Sequence, residues 1–254
     1  MFRRKQSANE ENNAETQQAK IKELKAAIGP LSGRSSQFCS DACYRRYLEA
    51  RSWNVDKAHK MLEETLKWRS TYKPEEIRWL EVAIEGETGK VYRANFNDRE
   101  GRTVLVLRPG KQNTSSHGNQ LRHLVYLLEN AILNLPEDQE QMIWLIDFSG
   151  WSLTNSIVKY FLDPKTFQKV KFVYPKNEES MELMHKHFDI EMLPVEFGGK
   201  NKIEYDHEEF SKIMMEDDIK SARVWGSDEK FILPNQANNA EVVSESSHDA
   251  AQAS

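Results

Sequence analysis

Apolar positions along this chain recur with two spacings, and the change falls near Lys90. Before it the spacing is helical. Ala14 to Ile28 predicts a helix stopped by Gly29 and Pro30, residues that respectively unlock and break helical backbone. Ser36 is placed to cap a second helix running to about Arg51. Val55, Ala58, Met61, Leu62, Thr65 and Leu66 then fall at three- and four-residue steps. They follow Asn54, whose side-chain oxygen can accept from a free N–H at a helix start. Lys73-Pro-Glu-Glu76 predicts a fourth helix, with proline in the first turn and carboxylates at the positive end of the dipole.

After Lys90 the pattern changes. Val91 to Asn95 and Thr103 to Leu107 predict two strands joined by the polar turn Asn97 to Arg102. Leu121, Leu124, Val125, Leu128, Ile132 and Leu135 mark one face of a helix. Gln141 to Phe148 is nearly continuous in apolar residues, which predicts a strand buried on both faces. Val170 to Tyr174 predicts another strand. Asn177 caps a helix through His187, and a last helix lies around His207 to Met215. Helices followed by alternating strands and helices predict an α/β fold: a helical domain, then a mixed sheet flanked by helices.

Composition narrows the classes. The 254 residues carry a net charge of −5, which argues against a polycation that seeks nucleic acid. The first ten residues have basic side chains but no apolar stretch behind them, unlike a secretory signal. Met142 to Ile146 is the longest strongly apolar run, too short to span a bilayer. A soluble, cytoplasmic protein is expected. Residues 1–14 and the Ser/Asn/Ala/Glu-rich tail 235–254 are expected to be disordered, for want of apolar residues.

Candidate chemistry is sparse. Cys39 and Cys43 sit four apart on the expected second helix, but no Cys or His cluster completes a four-ligand zinc site. Asp147 ends a strand, yet no nucleophile elbow, paired carboxylate or metal cluster accompanies it. A strand-end carboxylate held by hydrogen bonds is the simpler account. Gly198-Gly199 reads as a turn needing unusual backbone angles. No enzyme activity, metal or cofactor is expected.

Several segments, in order, carry a family resemblance. Tyr44 to Arg51, Trp53 to Ala58, Lys67 to Arg69, Asp98 to Pro109, Ile146 to Trp151, Leu162 to Phe172 and Leu193 to Gly199 together resemble the CRAL-TRIO lipid-binding proteins, among them the plant phosphatidylinositol/phosphatidylcholine transfer proteins. The resemblance implies a helical domain over 15–84 and a lipid-binding domain over 85–225. It implies an apolar cavity between sheet and helices, in which a phospholipid, phosphatidylinositol above all, is carried between membranes. By it the partners are phospholipid and, transiently, membrane surfaces, and the protein is a monomer. It also places Arg51 and Lys169 at headgroup-binding positions; a guanidinium fork suits phosphate and lysine adds a point charge. Where the family has a second basic residue after that arginine, this chain has Ser52. The chain departs further after about Ser156: a long helix, a Tyr-Pro-Glu-Arg turn with its acidic headgroup ligand and a strand are missing, a few dozen residues in all. One central strand and helix are therefore expected to be absent, as in an alternatively spliced form. A transfer-incompetent interaction protein is the alternative that this loss implies.

Overall fold

The computed structural model describes residues 2–150, 168–174 and 176–226, with side chains from Asn13 onward. Two compact units divide between Ile77 and Arg78.

The first unit is helical. It contains α1 (Phe2–Ile28), α2 (Gly33–Phe38), α3 (Asp41–Ala50) and α4 (Val55–Tyr72), then a single 3-10 turn at Pro74–Glu76. Helix α1 starts inside the stretch expected to be disordered. That stretch contains neither glycine nor proline, so a helix seeded around Ile21 and Leu24 can propagate backward through it. The predicted second helix is two helices. Ser40, not Ser36, caps the longer one by accepting from the Cys43 N–H. The predicted fourth helix is only the 3-10 turn. Asn54 caps α4 as expected, accepting from the Lys57 N–H at 2.9 Å. Ile21 and Leu24 of α1, Cys43, Tyr44 and Leu48 of α3, and Ala58 and Leu62 of α4 form the sealed core.

The second unit holds α5 (Trp79–Gly86), β1 (Val91–Asn97), β2 (Thr103–Leu107), α6 (His117–Leu133), β3 (Met142–Ile146), α7 (Glu178–His187) and α8 (His207–Val224). The boundary at Ile77 puts α5 here rather than in the helical domain expected to run to residue 84. Its Trp79 packs on Tyr126 of α6 and Phe210 of α8, with ring centroids 5.8 and 5.5 Å away. The sheet runs β1-β2-β3, antiparallel then parallel. Asp98 fixes the β1–β2 turn by accepting from the N–H groups of Glu100 and Arg102. Strand alternation sorts the faces. Ala94, Phe96, Val104, Val106 and Leu145 turn one way, onto Met184 of α7, Phe188 just after it, and Leu193. Arg93 points the other way, onto Asn130 of α6 and Asp217 of α8.

Three expectations change here. Strand β3 is not buried on both faces: only Leu145 is sealed, and Trp144 is 44% exposed. Residues 170–174 have no strand pairing, although Val173 still packs on the sheet core. Helix α8 runs to Val224, well past Met215. The position near Ser156 and the tail 235–254 lie outside the described residues.

Candidate functional site

Arg51 belongs to the first unit and Lys169 to the second. Arg51 is the C-cap of α3, exposed, and donates to the Ala50 carbonyl at 3.2 Å. The next two residues, Ser52 and Trp53, are left-handed at φ 52° and 60°. A bulky side chain rarely adopts that conformation, and holding one there costs about 1–3 kcal/mol. The turn is held by the Trp53 N–H donating to the Leu48 carbonyl at 2.7 Å and by Lys20 donating to the Trp53 carbonyl at 2.8 Å. Lys169 sits in a turn and is exposed. Neither cation forms an ion pair among the described residues.

Other basic residues are committed to the fold. Arg69 bonds Glu75 at 3.2 Å in the interior of the first unit, and Arg34 reaches both Glu75 and Glu76. Arg93 pairs with Asp217 at 2.7 Å, and Arg108 pairs with Glu196 while lying over the Tyr92 ring.

The second unit also holds a polar network that spacing alone did not reveal. Lys90 and Glu85 are both buried and paired. Thr114 donates to the same Glu85 oxygen as Lys90, and Asn113 accepts from Lys90. The other Glu85 oxygen is buried without a hydrogen-bond partner among the described residues. Burial works to raise the Glu85 carboxyl; bonds from Lys90 and Thr114 outweigh it and hold the group below its ordinary range. Burial, helped by the Lys90 charge and opposed by Glu85, pushes neighbouring His123 down to about 4. A cleft of about 580 Å³ opens beside this network. Its walls mix apolar surface, Ile84 included, with amides and hydroxyls from Asn113, Thr114, Ser115 and Asn119. Asp147 is a bonded strand end, its carboxylate accepting from the Ser149 N–H at 2.9 Å.

Apolar surface lies elsewhere. Helix α6 buries His123, Tyr126, Leu127, Asn130 and Ala131. Of the stripe that its sequence singled out, Leu121 is 55% exposed and Ile132 56%, while Leu124, Val125, Leu128 and Leu135 are half-buried. Leu80 and Ile84 of α5 are also exposed, at 73% and 57%. Glu81 and Arg122 bridge α5 and α6 next to Leu80 and Leu121.

The CRAL/TRIO domain pattern matches residues 86–157 and 155–199, and the CRAL/TRIO N-terminal domain pattern matches residues 19–64. The chain belongs to the CRAL-TRIO family. Among CRAL-TRIO relatives, a CRAL-TRIO domain-containing protein of Schizosaccharomyces pombe is 28% identical over 206 residues, covering 66% of this chain and 20% of the relative. A phosphatidylinositol transfer protein of Saccharomyces cerevisiae is 36% identical over 129 residues, 48% of this chain and 37% of that one. Patellin-6 of Arabidopsis thaliana is 23% identical over 247 residues, 74% and 60% respectively. The chain therefore spans between a fifth and three fifths of these curated relatives.

The two CRAL/TRIO stretches meet at 155–157, where the sequence reading puts the missing segment. The alignment to the S. pombe relative agrees. It runs over 206 residues yet takes in 66% of 254, about 168, so a few dozen of its positions lack a counterpart here.

Proposed function

We propose that this CRAL-TRIO chain binds a phospholipid, phosphatidylinositol in the first instance, and passes it between membranes from the cytosol. Arg51 and Lys169 supply the headgroup contacts. The observation that carries this reading is the two-domain CRAL-TRIO match together with two exposed cations that have no ion-pair partner among the described residues. The left-handed pair Ser52 and Trp53 adds support, because strain of this kind collects beside binding groups. Exposed Leu121 and Ile132 of α6, with Leu80 and Ile84 of α5, offer apolar surface for transient membrane contact. No helix of the described residues is long and apolar enough to cross a bilayer.

A second reading follows from the break at 155–157. Moving an acyl methylene into water costs about 0.8 kcal/mol, so two chains of about thirty methylenes need on the order of 20 kcal/mol of replacement burial. A cavity that has lost a strand, a helix and an acidic headgroup ligand provides less of it. On this reading the chain is an alternatively spliced, transfer-incompetent form that acts through protein contacts as a monomer.

Native mass spectrometry of the purified chain, with vesicle-to-vesicle transfer of fluorescent phosphatidylinositol, separates the two. A bound phospholipid and measurable transfer support the first reading. A cooperatively folding protein with neither supports the second.

A further inference from the structure

The cleft beside the Glu85–Lys90 pair involves neither Arg51 nor Lys169. Glu85 stands in the last turn of α5 and is 1% exposed, yet it lines this cleft, so it forms the innermost part of the wall. Its Oε2 accepts from Lys90 and from the Thr114 hydroxyl, the latter at 2.6 Å. Asn113 braces the same corner, accepting from Lys90 at 2.9 Å and donating to the Ile84 carbonyl at 2.8 Å. Oε1 is buried with no hydrogen-bond partner among the described residues. A carboxylate oxygen withdrawn from water and left unmatched is costly. Glu85 cannot turn it elsewhere while Lys90 and Thr114 hold the other oxygen. The start of α6 supplies another part of the wall. Ser116 caps the helix by accepting from the Asn119 N–H at 3.4 Å, and no acidic residue stands in the first turn. The exposed side chains of Ser115 and Asn119 line the cleft and make no hydrogen bond among the described residues. His123, one turn beyond Asn119 on the same face of α6, also leaves its Nε2 buried and unmatched. Ile84, 57% exposed, adds an apolar edge.

We propose that this cleft binds a neutral polyol, one of whose hydroxyls donates to Glu85 Oε1 while others bond Ser115 and Asn119. Charge selects the class. Lys90 already answers the Glu85 charge, so a second cation gains little there. An anion would meet the free carboxylate oxygen. A hydroxyl both donates and accepts, so a molecule carrying several of them satisfies the carboxylate, the Ser115 hydroxyl and the Asn119 amide together. Its C–H face rests on Ile84. Such a polyol can arrive free in solution or as the headgroup of a lipid. The site goes beyond the headgroup reading above, because it rests on Glu85 and α6 and not on Arg51 or Lys169.

The test titrates the full, isotope-labelled chain with myo-inositol and, separately, D-glucose, followed by amide NMR shifts. Millimolar concentrations of at least one should shift the amides of residues 112–119 in a saturable way. Sodium phosphate and methylammonium chloride should not compete. Asn119→Leu, at an exposed position, should weaken binding about tenfold. Glu85→Gln should weaken it at least as much; if the loss of the Lys90 ion pair unfolds that variant, Asn119→Leu still decides. Phosphatidylinositol vesicles that displace the polyol make a lipid headgroup its source, and vesicles that leave it bound make the source a free molecule. The proposal is overturned if neither compound gives a saturable shift or if the shifts fall only on other residues. Equal affinity in wild type and Asn119→Leu, or competition by phosphate or methylammonium, overturns it too.

Discussion

Leu105 and Trp144 are direct partners across the parallel β2–β3 pair, yet Leu105 is fully sealed and Trp144 is 44% exposed. Both belong to the face of the sheet that Arg93 directs toward α6, so the cover given by the helices fades from one strand to the next. Leu105→Ala should cost about 3 kcal/mol, as for a sealed leucine left with a cavity. Trp144→Ser should cost about 1 kcal/mol or less. Urea unfolding of the two variants checks the contrast.

His123 is held neutral, with its imidazole at about 4 against an ordinary 6.5. A depressed value contributes stability that is complete above 6.5 and is lost as pH falls toward 4. The loss should reach about 3 kcal/mol. Denaturant midpoints taken between pH 7 and 4 should decline, and His123→Leu should flatten the decline above pH 4.5.

The Glu85–Lys90 pair is buried on both sides. Lys90→Met leaves a carboxylate without its cation and should cost about 3–5 kcal/mol. The double variant Glu85→Gln/Lys90→Met should recover part of that loss, which a double-mutant cycle by chemical unfolding would read.

Arg51→Ala and Lys169→Ala should each weaken uptake of phosphatidylinositol about tenfold, about 1.4 kcal/mol, while leaving Tm unchanged because both side chains are exposed. Equal uptake by wild type and the double variant would remove both residues from the headgroup site.

Gly199 is where Leu193 closes in: a Cβ there would stand 1.8 Å from the Leu193 carbonyl oxygen. Gly199→Ala should destabilise the second unit by more than about 2 kcal/mol, since backbone must move. The neighbouring Gly198, at φ 86°, supplies the left-handed turn expected of this glycine pair. Thermal unfolding by circular dichroism checks the Gly199 variant.

What the sequence made legible was local chemistry. Asn54 and Asn177 announced their helices because a cap bonds within three residues of itself. The β1–β2 hairpin showed through its alternation and the Asp98 turn. The ordered motifs pointed to the CRAL-TRIO family. What stayed hidden depends on distant partners. Helix α6 turns Asn130 inward because Arg93 and Asp217 bond it, and His123 inward against the Trp79 ring, so the positions its sequence singled out are not the fully buried ones. The long apolar run of β3 suggested two covered faces, and only Leu145 is sealed. Arg51 and Lys169 came from resemblance, not from spacing, since a lone surface cation carries no pattern of its own.

Helix α8 has a temporal consequence. Asp217 receives Arg93, Asn130 and Asn134, while Asp218 receives the Trp79 N–H and the Tyr126 hydroxyl. These donors lie 83 to 139 residues earlier in the chain. A ribosome therefore releases α5, β1 and α6 well before the two carboxylates that satisfy them. Until α8 emerges, their donors must remain wet, and the second unit cannot finish closing during synthesis.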